Sequence, residues 1–223
     1  MSYSRFALYY LPPDEALAAF GAAWLGWDVA AGRPVPQPAL DGIDAVTATP
    51  RKYGCHGTLK PPFALADGHT PDDLARAVAH LAASLAPARA DGLALGRLGH
   101  FLALVPNGDG GGIARVAAAC VRGVDAFRAP PDEAELAHRR AAGLSARQER
   151  MLATWGYPYV MEEFRFHITL TGRLAPEALD LWNATLRDAL PPLPAPFDLD
   201  TIALVGERRD GCFELIQRYA LTG

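Results

Sequence analysis

The pattern His-x-Thr-Leu occurs twice in this chain, at His56–Leu59 and at His167–Leu170, and the sequence around it repeats as well. After the first copy, Thr70 supplies an N-cap and Pro71 a first helical residue, and Leu74, Val78, Leu81 and Leu85 follow at helical spacing. After the second, Pro176 opens a helix with Leu179, Trp182 and Leu186 on one face, stopped by Pro191 and Pro192. Two strand-like runs then follow each helix. They are Gly92–Leu98 and Phe101–Val105 in the first case, Phe197–Val205 and Cys212–Leu221 in the second, where Arg209-Asp210-Gly211 forms a hairpin turn. A strand–helix–strand–strand unit used twice, with a histidine in the same place, is an internal repeat. It predicts two similar lobes that face each other and bring one histidine apiece to a shared cleft. The expected class is α/β (α+β) and bilobal, with lobe one at about 1–108, lobe two at about 109–223 and a helical insertion at 130–156.

The other segments fit around this frame. Arg5–Leu11 reads as a strand, and Pro12-Pro13-Asp14 opens a helix with Leu17, Phe20, Trp24 and Trp27 at helical spacing. Ala31–Pro50 is rich in Gly and Pro and reads as an ordered excursion or a mobile flap. The motifs lie on predicted strands Cys55–Phe63, halted by Pro61-Pro62, and Phe164–Thr171. Asn107–Gly112 lacks the GxxxxGK[ST] pattern of a phosphate loop and carries Asp109, so it reads as a linker between lobes, followed by an amphipathic helix from Ile113 to Phe127. Pro130–Trp155 contains a Ser145/Gln148 capping box and a break at Gly143. Its Arg139, Arg140, Arg147 and Arg150 interleave with Glu133, Glu135 and Glu149. A solvated helix face is the favoured reading, and a substrate lid the alternative, because the segment stands just before the second motif.

Composition removes several functions. Twenty-five acidic residues against 21 Lys and Arg give a net charge of −4, opposite to the basic excess used to grip long nucleic acid. The three cysteines, Cys55, Cys120 and Cys212, show no zinc spacing and fit a reduced setting. No apolar run approaches the ~20 residues needed to span a bilayer. The expected location is the cytoplasm, with no membrane partner; the oligomeric state is open.

On a strand, side chains two apart share a face. His56, Thr58 and Lys60 should therefore point one way, as should Arg165, His167, Thr169 and Thr171, while Leu59 and Leu170 anchor each strand in the core. Each lobe would offer a histidine, a hydroxyl and a cation. In-line displacement at phosphorus needs a base for the attacking oxygen and an acid for the leaving one, and imidazole serves as either near neutral pH. Threonine hydroxyls can donate to the non-bridging oxygens, and a cation offsets their charge. The pattern calls for no metal and no cofactor, since threonine is a poor ligand for most metals. With ordinary histidine pKa values, turnover should be bell-shaped and centred at roughly pH 6–8.

The paired motifs resemble those of the two-histidine (2H) phosphoesterases, which include RNA-ligase-like proteins and cyclic-nucleotide phosphodiesterases. The segments Arg51–Lys60 and Gly156–Tyr159 through Phe164–Gly172 are similar to a bacterial branch associated with phosphonate-utilisation genes. Cys55 and Gly57 depart from the Phe and Ala more usual there, both on the non-catalytic face. The resemblance implies two pseudo-symmetric ferredoxin-like lobes with antiparallel sheets about a central cleft, and cleavage of a small, often cyclic, phosphodiester. Arg51, Tyr53 and Tyr159 flank the motifs and join Lys60, Arg165 and Thr171 as candidate substrate contacts; for Tyr53, Tyr157 and Tyr159 core packing is an equal alternative. Cys55 reads as a core residue, and His69, His80, His100 and His138 as structural or exposed. Three rival functions stay open: a ligase or transesterase of the same fold, a non-catalytic binder of a phosphorylated metabolite, and a scaffold for a phosphonate-degrading assembly.

Overall fold

The computed structural model describes residues 3–223. Strand β1 (Phe6–Tyr10) leads to helix α1 (Glu15–Leu25), where the Asp14 carboxylate accepts from Leu17 N at 2.8 Å. The 31–50 excursion is ordered, with a small hairpin of β2 (Trp27–Asp28) and β3 (Arg33–Pro34) followed by helix α2 (Ile43–Arg51). Next come β4 (Gly57–Phe63), α3 (Pro71–Ala83), β5 (Ala88–Ala90), β6 (Gly92–Leu98), β7 (Phe101–Asn107) and α4 (Gly111–Gly123). The insertion is helical as expected, with α5 (Glu133–Arg140) and α6 (Ala146–Trp155) parted at Gly143, whose φ of 74° suits glycine. The chain ends with β8 (Ile168–Thr169), α7 (Pro176–Ala189), β9 (Phe197–Leu199), β10 (Thr201–Glu207) and β11 (Phe213–Ala220). The predicted Ser145/Gln148 capping box forms, and Thr70 caps α3 as predicted and completes a second box with Asp73.

Seven strands form one antiparallel sheet in the order β11-β10-β1-β4-β8-β7-β6. Its middle is a narrow seam where β4 meets β8 at Gly57↔Ile168. Those residues stand at the same place in the two motifs, and β5 likewise pairs with its counterpart β9. Equivalent antiparallel segments pairing with each other mark an approximate two-fold axis through the seam. The axis matches β1 with β7 and β10 with β6, so the lobes interleave in sequence: β10 and β11 sit beside β1, and β6 and β7 beside β8. Asn107–Gly112 leads from β7 to α4, which packs on β4, α3 and β5 across the seam from β7, so this stretch passes from one half of the sheet to the other.

The helices pack on one face of this sheet. Leu17 and Trp24 of α1, Leu74 and Val78 of α3, Ile113 and Cys120 of α4 and Leu179 and Leu186 of α7 share one buried cluster with Leu8, Leu59, Ile168 and Leu170. Each such side chain contributes about 1.5–3 kcal/mol by leaving water, so this face holds the fold. Gly57 is needed here, since a Cβ on it would lie 2.5 Å from the Phe166 ring. Cys55 is buried against Gly21, as its core reading required. The opposite face of the β1 lobe carries a smaller cluster of Tyr9, Trp27, Val29, Val205 and Phe213, and it borders the seam.

Two predicted strands differ in extent. Pro61 and Pro62 do not halt β4, which runs to Phe63 across register irregularities that absorb the missing N–H groups. β8 is much shorter than 164–171: Leu170 N and Thr171 N both donate to Leu102 O, and the Arg165 carbonyl is taken by the His167 ring.

Candidate active site

The seam fixes the site. With Gly57 opposite Ile168 in an antiparallel pair, one further step each way sets His56 across from Thr169 and Thr58 across from His167. Cross-strand neighbours lie about 4.5–5.5 Å apart at Cβ, so both histidines and both threonines meet on the face away from the helices. The two histidines are held in the same way. His56 Nδ1 is 3.0 Å from Gly54 O and His167 Nδ1 is 2.7 Å from Arg165 O, in each case the carbonyl two residues earlier. A carbonyl only accepts, so Nδ1 carries the proton and Nε2 is left for chemistry. In neutral His56 that Nε2 accepts from the Thr58 hydroxyl at 3.0 Å.

The histidines differ in environment. His56 is 9% exposed, its ring stacked on Tyr9 with centroids 3.9 Å apart. Burial pulls its pKa down to about 4 against the hydrogen bond to Gly54 O, and the charge of His167 lowers it further. His167 is half-buried, 5.6 Å from the Phe101 ring, and burial also lowers its pKa, opposed by the bond to Arg165 O. Desolvation, rather than a neighbouring cation, is the main cause for both.

Several expected substrate contacts lie elsewhere. Lys60 does not face the cleft. Between Tyr9↔Thr58 and Leu8↔Lys60, β1 advances one residue and β4 two, a bulge that reverses the alternation. Lys60 is 2% exposed on the helix side, its Nζ 3.0 Å from Asp125 Oδ1 and 3.2 Å from Val121 O. Arg51 spends its guanidinium on Leu25 O, Gln37 Oε1, Asp44 O and Thr47 Oγ1, tying α2 to α1. Thr171 borders the cleft, but its hydroxyl accepts from Leu102 N and donates to Gly172 O, both at 3.0 Å. The Arg165 side chain lines a separate depression beside Gly108, Gly110 and Gly111. Tyr159 is 45% exposed, edge-on to Tyr157, and outside the histidine cavity. Tyr53 does line that cavity, its ring 5.9 Å from His56.

The cavity is about 260 Å³, bounded by His56, Tyr53, Phe101, Thr169, Gly172 and Arg173. Arg173 is exposed and makes no side-chain hydrogen bond or salt bridge among the described residues. It brings to the cleft the cation expected of Lys60 and Arg165, from a position two residues beyond Thr171, where β8 has already ended and alternation no longer applies. Tyr9, fully buried and stacked against His56, supports the site without lining the cavity, and strand periodicity does not reveal it: it sits on β1, opposite Thr58, and pairing partners of a motif strand are not readable from local sequence. No cluster of three or more His, Cys, Asp or Glu suited to a metal occurs among the described residues, and no helix there is long and apolar enough to cross a membrane.

Residues 58–214 match the model of a family described as proteins of unknown function, DUF1045. The chain belongs to that family. It is 42% identical over 179 residues to a protein of Janthinobacterium sp. (strain Marseille) named ribose 1,5-bisphosphate phosphokinase PhnN, covering 78% of this chain and 40% of that one. A protein of the same name from Laribacter hongkongensis is 39% identical over 191 residues, 81% of this chain and 43% of its own. The chain thus spans about two-fifths of these curated relatives. Among solved structures it is similar to TT0787 of Thermus thermophilus, at 20% identity, 98% coverage of both chains and a TM-score of 0.48. It is similar also to E. coli LigT complexed with NADP+, at 14% identity, full coverage of both and a TM-score of 0.45. Likeness this distant leaves the architecture to rest on the strand order itself.

Proposed function

We propose that this family member is a 2H-type phosphoesterase that needs no metal and hydrolyses a small, cyclic phosphodiester, with His56 as general base and His167 as general acid. The observation that carries this reading is the cross-strand square of two histidines and two threonines, each imidazole fixed through Nδ1 with Nε2 free to act. On substrate binding the Thr58 hydroxyl turns from His56 Nε2 to a phosphate oxygen, and Thr169 donates to another. Water takes its place at Nε2, gives up its proton there and attacks phosphorus. The P–O bond on the far side breaks, and the leaving oxygen takes the proton from His167 Nε2. The deeper burial of His56 supports its role as base, because it stays neutral where His167 can still be charged. The name of the curated relatives supports phosphorylated ribose derivatives as first substrates, and the resemblance of the motif segments supports a setting in phosphonate utilisation.

The test is kcat/KM against pH, in excess chelator, on 2′,3′-cyclic nucleotides and cyclic ribose phosphates. A base buried to about 4 is competent above that pH, and an acid lowered below 6.5 is competent only beneath its own pKa. The bell should therefore lie on the acid side of neutrality, lower than two ordinary histidines would give. The limbs belong to the coupled pair. Activity that dies in chelator and returns with added metal would sink the mechanism, as would a profile that only rises with pH.

Thr169→Val and Arg173→Gln address the oxyanion contacts. Each removes a donor to a charged oxygen, worth about 1.5–3 kcal/mol of transition-state stabilisation. Turnover should fall accordingly while urea midpoints stay put. Unchanged kcat/KM in both would show that neither side chain meets the phosphate.

A further inference from the structure

A second cavity, of about 450 Å³, lies between the start of α1 and the loop that joins α7 to β9, and it shares no lining residue with the histidine cavity. Pro13, Pro192 and Pro194 stiffen its walls. Asp14, Asp198 and Asp200 bring carboxylates to it, whereas no Lys, Arg or His borders it among the described residues. The three carboxylates are not equally free. Asp198 is held by Arg89 through both oxygens, at 2.6 and 3.0 Å. Asp14 gives one oxygen to Leu17 N as the cap of α1 and keeps the other. Asp200 makes no side-chain hydrogen bond or salt bridge among the described residues. Arg218 feels its charge, but donates to Leu11 O at 2.8 Å and does not line the cavity.

Tyr10 forms the buried end of this cavity. Its ring packs edge-on against Phe166 and Phe197, with centroids 5.8 and 5.1 Å apart, and only 2% of the residue is exposed. Its hydroxyl has no hydrogen-bond partner among the described residues, yet it is not sealed in protein as the hydroxyls of Tyr9 and Tyr219 are. The small accessible part of Tyr10 therefore includes the hydroxyl, and the cavity is where it opens. Asp200 and Asp14 both bear on its ionisation, as groups around one cavity should.

A phenol buried in this way recovers a lost hydrogen bond only from what enters the cavity. The unspent carboxylates beside it make that partner a cation. No three His, Cys, Asp or Glu groups are placed to hold a metal ion among the described residues, so a bare metal ion lacks its ligands here. An ammonium has donors and no acceptor, which suits carboxylates and a phenol oxygen, and a methylene stem suits walls of proline and Leu193. We propose that this cavity is a second ligand site that takes a small aliphatic amine, its charge held by Asp14 and Asp200 and one N–H donated to Tyr10 Oη. The site stands apart from the phosphodiester chemistry and does not depend on it.

Calorimetric titration with 1,4-diaminobutane tests the site, with 1,4-butanediol and Mg²⁺ as the uncharged and inorganic counterparts. Wild type should bind the diamine saturably, and neither counterpart at equal concentration should compete. Asp200→Asn should weaken binding about tenfold or more, the scale of a charge-assisted hydrogen bond. Asp14→Asn should do the same and keep the helix cap, since asparagine caps as well as aspartate. Tyr10→Phe keeps the ring and every charge, and should weaken binding about fivefold, the scale of a neutral hydrogen bond. Diffuse attraction to an acidic surface would leave that variant unchanged. Absence of saturable binding to wild type overturns the site, as do equal affinities in wild type and Tyr10→Phe or competition by Mg²⁺. Asp188→Asn removes the same charge from the exposed side of α7, outside the cavity, and should bind as wild type does. A loss there equal to that of Asp200→Asn overturns the site even if Tyr10→Phe fails to fold.

Discussion

Alanine at His56 or at His167 is expected to lower turnover by roughly 10²-fold or more, the scale of one general acid or base, with no loss of fold. Neither imidazole holds the structure together: each makes one bond to a carbonyl within its own segment, and the main core is on the other face of the sheet. His56→Ala also removes the ring stacked on Tyr9, so it should cost somewhat more stability than His167→Ala, which loses only a half-buried ring. On the proposed mechanism the two groups serve one displacement, so the double variant should be little slower than the worse single one. Independent losses that multiply would mean the histidines act in separate steps. A near wild-type rate in either single variant would end the paired mechanism. Imidazole in the buffer gives a further check, since it should rescue His167→Ala, at the more open position, better than His56→Ala.

The sequence made the repeat and its two histidines legible because strand alternation and helix capping are local rules. His56, Thr58, His167 and Thr169 each lie within a residue or two of Gly57 or Ile168, where the lobes pair, and over so short a span alternation holds. Lys60 shows where it stops holding. One extra residue in β4 reverses every side chain beyond it, and nothing local distinguishes Leu59-Lys60 from a regular pair. Arg165 and Thr171 fail for a related reason: β8 spans two residues, so a period of two carries no information on either side. Interleaving of the lobes was not legible at all. Which hairpin joins which sheet depends on contacts between residues some two hundred positions apart, such as Ala7 with Val205. Tyr9 and Arg173 needed those contacts before either could be placed at the site.

The displaced lysine leads to the other large effect. Burial pulls the Lys60 pKa down, and the Asp125 carboxylate opposes this. Burial alone would raise the Asp125 carboxyl, but hydrogen bonds from Arg128, at 2.8 Å, and from Lys60 outweigh it and hold it below its usual range. Asp125→Ala leaves a 2% exposed ammonium with one carbonyl, and strips Arg128 of its carboxylate, leaving it only Thr154 O. Breaking a buried pair from one side costs about 3–5 kcal/mol, enough to remove a large part of a domain's stability. Lys60→Met is the contrasting change. It fills a similar volume beside Phe63, removes the buried charge and leaves Asp125 paired with Arg128, so its cost should stay below about 1.5 kcal/mol. Urea unfolding of both variants, with turnover measured on the folded protein, tests the pair. Asp125→Ala should unfold far earlier than Lys60→Met, and Lys60→Met should keep its kcat/KM. A stable Lys60→Met protein without turnover would return Lys60 to the substrate, whereas a stable Asp125→Ala would show that the pair contributes nothing to the seating of α4 on β4.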